Sequence, residues 1–286
     1  MRFLRHIETC NRCEPDRFRP LLLDGIRLGS IRADRAPALA ELDGLFRVTD
    51  RAVILAEDGP RGGRLTERLL EVTDLLVARG LVPQRRGERF AIMEYWGGPT
   101  LFELDRGAIA FFGTRSYGVH VNGLVGSSIW VATRSHTKKV APGKLDNLVA
   151  GGIAAGYGAR ATLIKEAAEE AGIAAELAQR ARPVGAASYR MEVPEGLRDD
   201  VLFMFDLDLP EGFAPVPVDG ECESFRLMPL DEVLRVVAET DDFKFNVNLV
   251  LIDLALRRGL VGPDEPGYLA LVDGLHARRA ARASGD

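Results

Sequence analysis

The stretch GGIAAGYGARATLIKEAAEEAGI, residues 151–173, decides the reading of this chain. Its second half is rich in strong helix formers and closes on glycine, so a helix is expected over residues 159–172. On that helix Glu166, Glu169 and Glu170 stand at i, i+3 and i+4, which puts three carboxylates on one face, where they converge on one hard cation. Oxygen ligands of this kind suit Mg²⁺ or Mn²⁺. Such a cation neutralises diphosphate oxygens and activates water for attack at phosphorus, while the glycines before the helix let backbone groups approach a ligand closely. The competing reading is an exposed helix on which Lys165 pairs with Glu169 at i+4 and the carboxylates are merely solvated.

The rest of the chain narrows the choice. At 286 residues, with 47% apolar and 28% charged residues, it reads as an ordinary globular protein long enough for two domains. No apolar run approaches a membrane span and the first residues, MRFLRHIETCNRC, lack a signal peptide's apolar stretch, so a cytoplasmic protein with no membrane partner is expected. A formal charge of -5 gives no footprint for nucleic acid. Cys10 and Cys13 form one C-x-x-C, a pair short of a four-cysteine zinc site even with His6 nearby, and reduced thiols are expected.

Two α+β regions are expected, residues 1–117 and 118–286, with no obvious flexible linker. In the first, Leu39, Leu42 and Phe46 recur at helical spacing after Pro37, as do Leu65, Leu69, Val72 and Leu76 before Gly80. RFAIMEYW, TLFELDR and AIAFFG, separated by glycine turns, read as an antiparallel meander. In the second, SSIWVATRS (127–135) and VLFMFDLDL (201–209) are strands, LDEVLRVVAE and NVNLVLIDLALRRG are helices, and the tail HARRAARASGD is a frayed helix end.

The 151–173 segment resembles the Nudix box: Gly, five residues, Glu, seven residues, then Arg-Glu-U-x-Glu-Glu-x-Gly-U, with U apolar. Gly151, Glu166, Ala167, Glu169, Glu170, Gly172 and Ile173 fall in register, whereas Tyr157 replaces the first glutamate and Lys165 the arginine. The resemblance implies a Nudix α/β/α sandwich preceded by a smaller α+β domain that forms one wall of a substrate cleft. It implies that Glu166, Glu169 and Glu170 hold Mg²⁺ (or Mn²⁺), with a carbonyl at Gly151 as a further ligand, and that the enzyme hydrolyses a small-molecule diphosphate. Lysine offers one compact ammonium in place of arginine's planar fork, so looser support of the carboxylates is expected at Lys165.

The approach WVATRSHTKKVAPGKLDNLVAGG (130–152) is similar to a Nudix subgroup that includes isopentenyl-diphosphate isomerases, which makes Arg134 and Lys138 candidates for the substrate's phosphates. GTRSYGVHVNGLV, DNLVAGGI and FKFNVNLVLIDLALRRG resemble a subfamily with an uncharacterised N-terminal domain, found in plant Nudix proteins and in a fungal thiamine pyrophosphokinase fusion. That likeness implies thiamine diphosphate or its oxidised analogues as substrate and the monophosphate as product.

Further candidates lie outside the box. Glu221 and Glu223, two apart and so on one side of a strand, are candidates to complete the metal shell or act as general base, with Glu223 favoured. His120, beside the junction, is a candidate substrate contact, with a packed histidine as the alternative. Tyr95, Trp96, Phe111, Phe112 and Tyr117 offer a wall for a planar cationic ring, although most such aromatics belong to cores. Rival functions are a broader nucleoside-diphosphate or ADP-ribose hydrolase, an isomerase, which lacks its cysteine in residues 145–152, and a noncatalytic regulator, which Tyr157 and Lys165 would permit. Nothing in the sequence fixes the oligomeric state; a homodimer is one option.

Overall fold

The computed structural model describes residues 2–42 and 44–276. The tail read as a frayed helix end lies, apart from His276, outside the described residues. The chain opens with helix α1 (Leu4–Cys10), followed by the hairpin β1 (Phe18–Leu23) and β2 (Ile26–Arg32), the short helix α2 (Pro37–Ala40), and strands β3 (Phe46–Val48) and β4 (Val53–Leu55). These four strands make one sheet in the order β2-β1-β4-β3, with β1 and β4 parallel. Helix α3 (Gly62–Ala78) buries Leu65, Leu69, Val72 and Leu76, the stripe expected from spacing. The helical spacing of Leu39, Leu42 and Phe46 gives only the four residues of α2, because the chain turns at Gly44 with φ 67° and Phe46 already belongs to β3.

A separate hairpin, β5 (Arg89–Ile92) and β6 (Phe102–Asp105), realises two of the three strands expected between Phe90 and Phe112. The third segment, AIAFFG, is instead α4 (Ile109–Phe112). Asp105 accepts hydrogen bonds from the N–H groups of Arg86 (2.8 Å), Gly87 (3.0 Å) and Gly107 (2.8 Å), which bends the chain out of the hairpin. Gly113 then ends α4 at φ 57°, where an added Cβ would lie 2.0 Å from Ser30 O, so that turn requires glycine. Phe111 and Phe112 are 1% exposed in the N-terminal core and cannot serve as a ring-binding wall.

The second half is a seven-stranded sheet built from β7 (Arg115–Val125), β8 (Ser128–Arg134), β9 (Leu145–Asp146), β10 (Val149–Gly152), β11 (Arg182–Val193), β12 (Gly196–Asp208) and β13 (Cys222–Pro229). Its main path is β11-β12-β7-β8-β13; β10 pairs with β7 and β9 with β8, and only β7 and β12 run parallel. The apolar run in β12 follows from burial on both faces: Phe205 and Leu207 pack toward α5 (Ala159–Ala171) and α6 (Ala175–Ala178), Leu202 and Met204 toward α7 (Leu230–Glu239), α8 (Val247–Arg257) and α9 (Tyr268–Gly274). The result is an α/β/α sandwich with a smaller α+β domain before it, the architecture that the resemblance implies. No helix among the described residues is long and apolar enough to cross a membrane.

Helix α1 does not pack with the strands that follow it. Ile7 and Cys10 are buried in the core formed by α8, α9 and β11. Cys10 and Cys13 are free thiols; Cys10 donates to Phe245 O at 3.4 Å, and burial pushes its thiol up to about 12. Gly274 lies so close to Ile7 that an added Cβ would fall 2.2 Å from its Cγ2. Ile7→Ala should therefore lower unfolding stability by about 2–5 kcal/mol in urea, as for a core residue. A change within about 0.5 kcal/mol, typical of a surface site, would contradict this packing.

Candidate functional site

Helix α5 carries the glutamates and ends where expected, with Gly172 left-handed at φ 63°. Glu170 is the most enclosed of the three. The Ala150 N–H donates to its Oε2 at 2.9 Å, tying the helix to β10. Burial, opposed by that bond and reinforced by the charges of Asp146, Glu166 and Glu221, pushes Glu170 up to about 8. Burial also raises Glu166. The backbone at Gly151 passes so near Glu166 that an added Cβ would stand 2.4 Å from its Cγ, which explains the first glycine of the box.

Lys165 bridges the other carboxylates. Its Nζ donates to Glu169 Oε2 at 2.5 Å and to Glu166 Oε1 at 3.2 Å, and the bond to Glu169 raises the lysine. The pair with Glu169 is the i+4 contact that a merely solvated helix would also make; the second contact, to the half-buried Glu166, links the lysine to the side of the helix that faces β10. Tyr157 is 49% exposed in the loop before the helix.

Among the described residues no group of three His, Cys, Asp or Glu is already gathered around one point, because Glu169 turns to Lys165 while Glu170 turns to Ala150. The donor set nevertheless fits a hard cation. It consists of carboxylate oxygens, and Glu170 feels the charges of Asp146, Glu166 and Glu221 as well as that of Lys244, with the Ala150 N–H as its hydrogen-bond donor.

The remaining expected residues divide. Lys138 forms an ion pair with Glu221. Burial alone would raise Glu221, but the bond and charge of Lys138, with Arg106 and Arg134, hold it below the usual carboxylate range. Glu221, rather than Glu223, is the acidic residue whose charge reaches Glu170. Glu223 instead accepts from the His136 N–H at 3.0 Å, because a register shift between Cys222 and Ser224 breaks the strand's alternation.

Arg134 is not open to a phosphate. Its Nη1 donates to Asp146 at 2.6 Å, and its Nε and Nη2 donate to the carbonyls of Val140 and Ala141. His120 is 4% exposed, its Nδ1 2.8 Å from Asn147 Oδ1, and burial lowers it to about 4. It is a packed neutral histidine, removed from the open face.

Sequence reasoning missed Asp146, Arg106 and the hairpin residues Arg89 and Phe90. Asp146, between Arg134 and Lys244, anchors the buried side of the site; burial would raise it, yet the charges of Lys244 and Arg134 hold it below the usual carboxylate range. Arg106, from the N-terminal domain, reaches Glu221 with its charge. The N-terminal hairpin borders the box directly: the Ala155 N–H donates to Arg89 O at 2.8 Å, and Phe90 Cζ lies 2.6 Å from where a Cβ on Gly152 would be. A separate cavity of about 270 Å³, lined by Gly62, Thr66, Arg89 and Glu103 among others, lies within the N-terminal domain and includes none of the glutamates of α5.

Glu170 gives the site a signature in stability. An unfolded glutamate titrates near about 4.3, so the folded protein holds a proton that the unfolded chain has released. The resulting stabilisation is complete below about pH 4 and is lost as pH rises through about 8. In chelator, Glu170→Gln should become progressively more stable relative to the natural protein between pH 5 and pH 8, measured by urea unfolding. A difference independent of pH would contradict the assigned environment.

Two family models match the chain: a domain of unknown function, DUF4743, over residues 2–116, and the NUDIX domain over residues 115–248. Nudix hydrolase 24, chloroplastic, of Arabidopsis thaliana is 36% identical over 277 residues, 94% of this chain and 76% of that protein. Nudix hydrolase 20, chloroplastic, of the same plant is 41% identical over 217 residues, 74% of this chain and 58% of that one. An uncharacterized protein of Saccharomyces cerevisiae is 32% identical over 243 residues, 78% of this chain and 70% of that protein. Likeness of this extent, together with a box helix whose lysine and glutamates meet as described, places the chain in the Nudix hydrolase family.

Proposed function

We propose that the protein is a metal-dependent pyrophosphohydrolase that cuts a diphosphate linkage in a small molecule carrying a planar ring, with thiamine diphosphate or its oxidised analogues as the favoured substrates. The observation that carries the reading is Glu170, buried on the box helix among Asp146, Glu166 and Glu221. Glu166, Glu169 and Glu170 are the residues to hold the cation, Mg²⁺ or Mn²⁺, with the Gly151 carbonyl as a further ligand. The cation supplies charge neutralisation at the diphosphate and a more acidic water.

The chain's own groups do the rest. Lys165 holds Glu166 and Glu169 in register on the helix face. Glu221, ion-paired with Lys138 and coupled by charge to Glu170, is the fourth carboxylate in reach of the cluster and the candidate acceptor for the water's proton once Lys138 turns to the substrate. The N-terminal hairpin screens the box loop through Phe90.

An aromatic cluster supports a ring-bearing substrate. Trp96, in the loop between β5 and β6, packs at 4.6 Å from Tyr117 and 4.8 Å from Phe203, and it remains 39% exposed beside Tyr95 at 62%. An exposed indole face of this kind attracts a cationic heterocycle. An adenine ring would also stack there, so an ADP-ribose substrate is the second reading, favoured by the same surface.

With Mg²⁺ and a panel of thiamine diphosphate, its oxidised forms, ADP-ribose and nucleoside diphosphate sugars, Glu169→Gln should lose at least about 10²-fold in kcat on every substrate, while Trp96→Ala should lower kcat/KM most for the thiamine type. Near-natural turnover in Glu169→Gln would sink the metal assignment. A uniform effect of Trp96→Ala across the panel would remove the ring site.

A further inference from the structure

A diphosphate held at the α5 glutamates needs cationic partners, and the basic side chains already placed beside them are engaged. Lys165 is bound to Glu166 and Glu169, Lys138 to Glu221, and Arg134 to Asp146 and two carbonyls. Lys244 is buried against Asp146 at 3.5 Å.

Arg106 is paired as well, but it comes from the other domain and brings a planar fork that two phosphate oxygens can share. It begins the 3-10 turn (Arg106–Ala108) after β6, and its backbone N–H donates to Glu88 O at 2.8 Å, which fixes where the side chain starts. Its guanidinium lies 5.7 Å from the centre of the Phe90 ring, and that ring packs on Gly152, next to the glycine that borders Glu166. The side chain is 52% exposed and donates from Nη1 to Glu88 Oε2 at 2.8 Å, a carboxylate that is itself 31% exposed. Partly exposed pairs of this kind hold weakly and exchange readily for a better anion. The hairpin that carries the pair is joined to the box loop, where the Ala155 N–H donates to Arg89 O at 2.8 Å.

We propose that Arg106, supplied by the N-terminal domain, is a phosphate-binding residue of the Nudix site, and that its guanidinium exchanges the Glu88 carboxylate for the diphosphate oxygens of the substrate. A planar guanidinium matches two phosphate oxygens at once, which an ammonium does not. Phe90 supports the group from below, and Glu88 parks it in the absence of ligand. The domain of unknown function thereby completes the site. The inference rests on the pyrophosphohydrolase reading for the identity of the ligand.

The test combines binding and turnover in the full chain. Titration with methylenediphosphonate in the presence of Mg²⁺ measures the contact without chemistry, and steady-state hydrolysis of the best diphosphate substrate measures it during turnover. Arg106→Ala should weaken methylenediphosphonate and raise KM by roughly 10- to 100-fold, with kcat and melting temperature nearly unchanged. Arg106→Lys should recover part of the affinity, and Glu88→Gln should tighten binding a few-fold by releasing Arg106. Unchanged affinity and KM in Arg106→Ala, or a fall in melting temperature and kcat with affinity intact, would overturn the proposal and leave a structural ion pair. Binding of methylenediphosphonate that depends on Arg106 in a protein without hydrolytic activity would defeat the hydrolase reading while sustaining this one.

Discussion

Glu170 is a carboxyl group removed from water, held by one backbone N–H from Ala150, and coupled by charge to Asp146, Glu166 and Glu221 and to the buried Lys244. Such a cluster stays neutral by taking up a proton or by taking up a cation. The surrounding architecture is what keeps the choice open. Strand β10 must run close enough to α5 to offer its N–H, and that approach excludes a side chain at Gly151. The next glycine, Gly152, then leaves the space that Phe90 of the N-terminal domain fills.

Beneath the cluster, the α8 side of the sheet carries an unusual amount of buried polarity. Arg134 and Lys244 flank Asp146, while His120, Asn147, Asn122 and Asp206 connect through hydrogen bonds of 2.8–3.0 Å to Arg257 on α8. Each partner is satisfied by the next, which is the condition under which buried polar groups are tolerated. Arg134 also ties down residues 140 and 141, so it shapes the approach to the site from below rather than touching a ligand. The division of labour is therefore between a rigid polar base, a glutamate face above it, and a second domain leaning over that face.

Much of this was legible in the sequence, and the exceptions have physical causes. The helix expected over 159–172 is found at Ala159–Ala171, and the runs read as strands at 127–135 and 201–209 lie in β8 and β12, because periodicity and glycine stops are local signals. Glu223 accepts from the His136 N–H because of a register shift between Cys222 and Ser224, which alternation along a strand does not reveal. Arg134 looked like a phosphate ligand because its ion pair with Asp146 exists only once β9 folds back on β8. The packing of α1 against α8 and α9, and the reach of Arg106 toward Glu221, join segments more than a hundred residues apart, a separation at which local pattern is silent.

The central claim is that the α5 glutamates form a cation site in which Glu170 gives up a proton. Calorimetric titration of the metal-free protein with Mn²⁺ at pH 7, in two buffers of different ionisation enthalpy, tests it most directly. The account predicts binding accompanied by release of about one proton, with both the release and most of the affinity lost in Glu170→Gln. A binding heat independent of the buffer, or affinity that survives unchanged in Glu170→Gln, would contradict it.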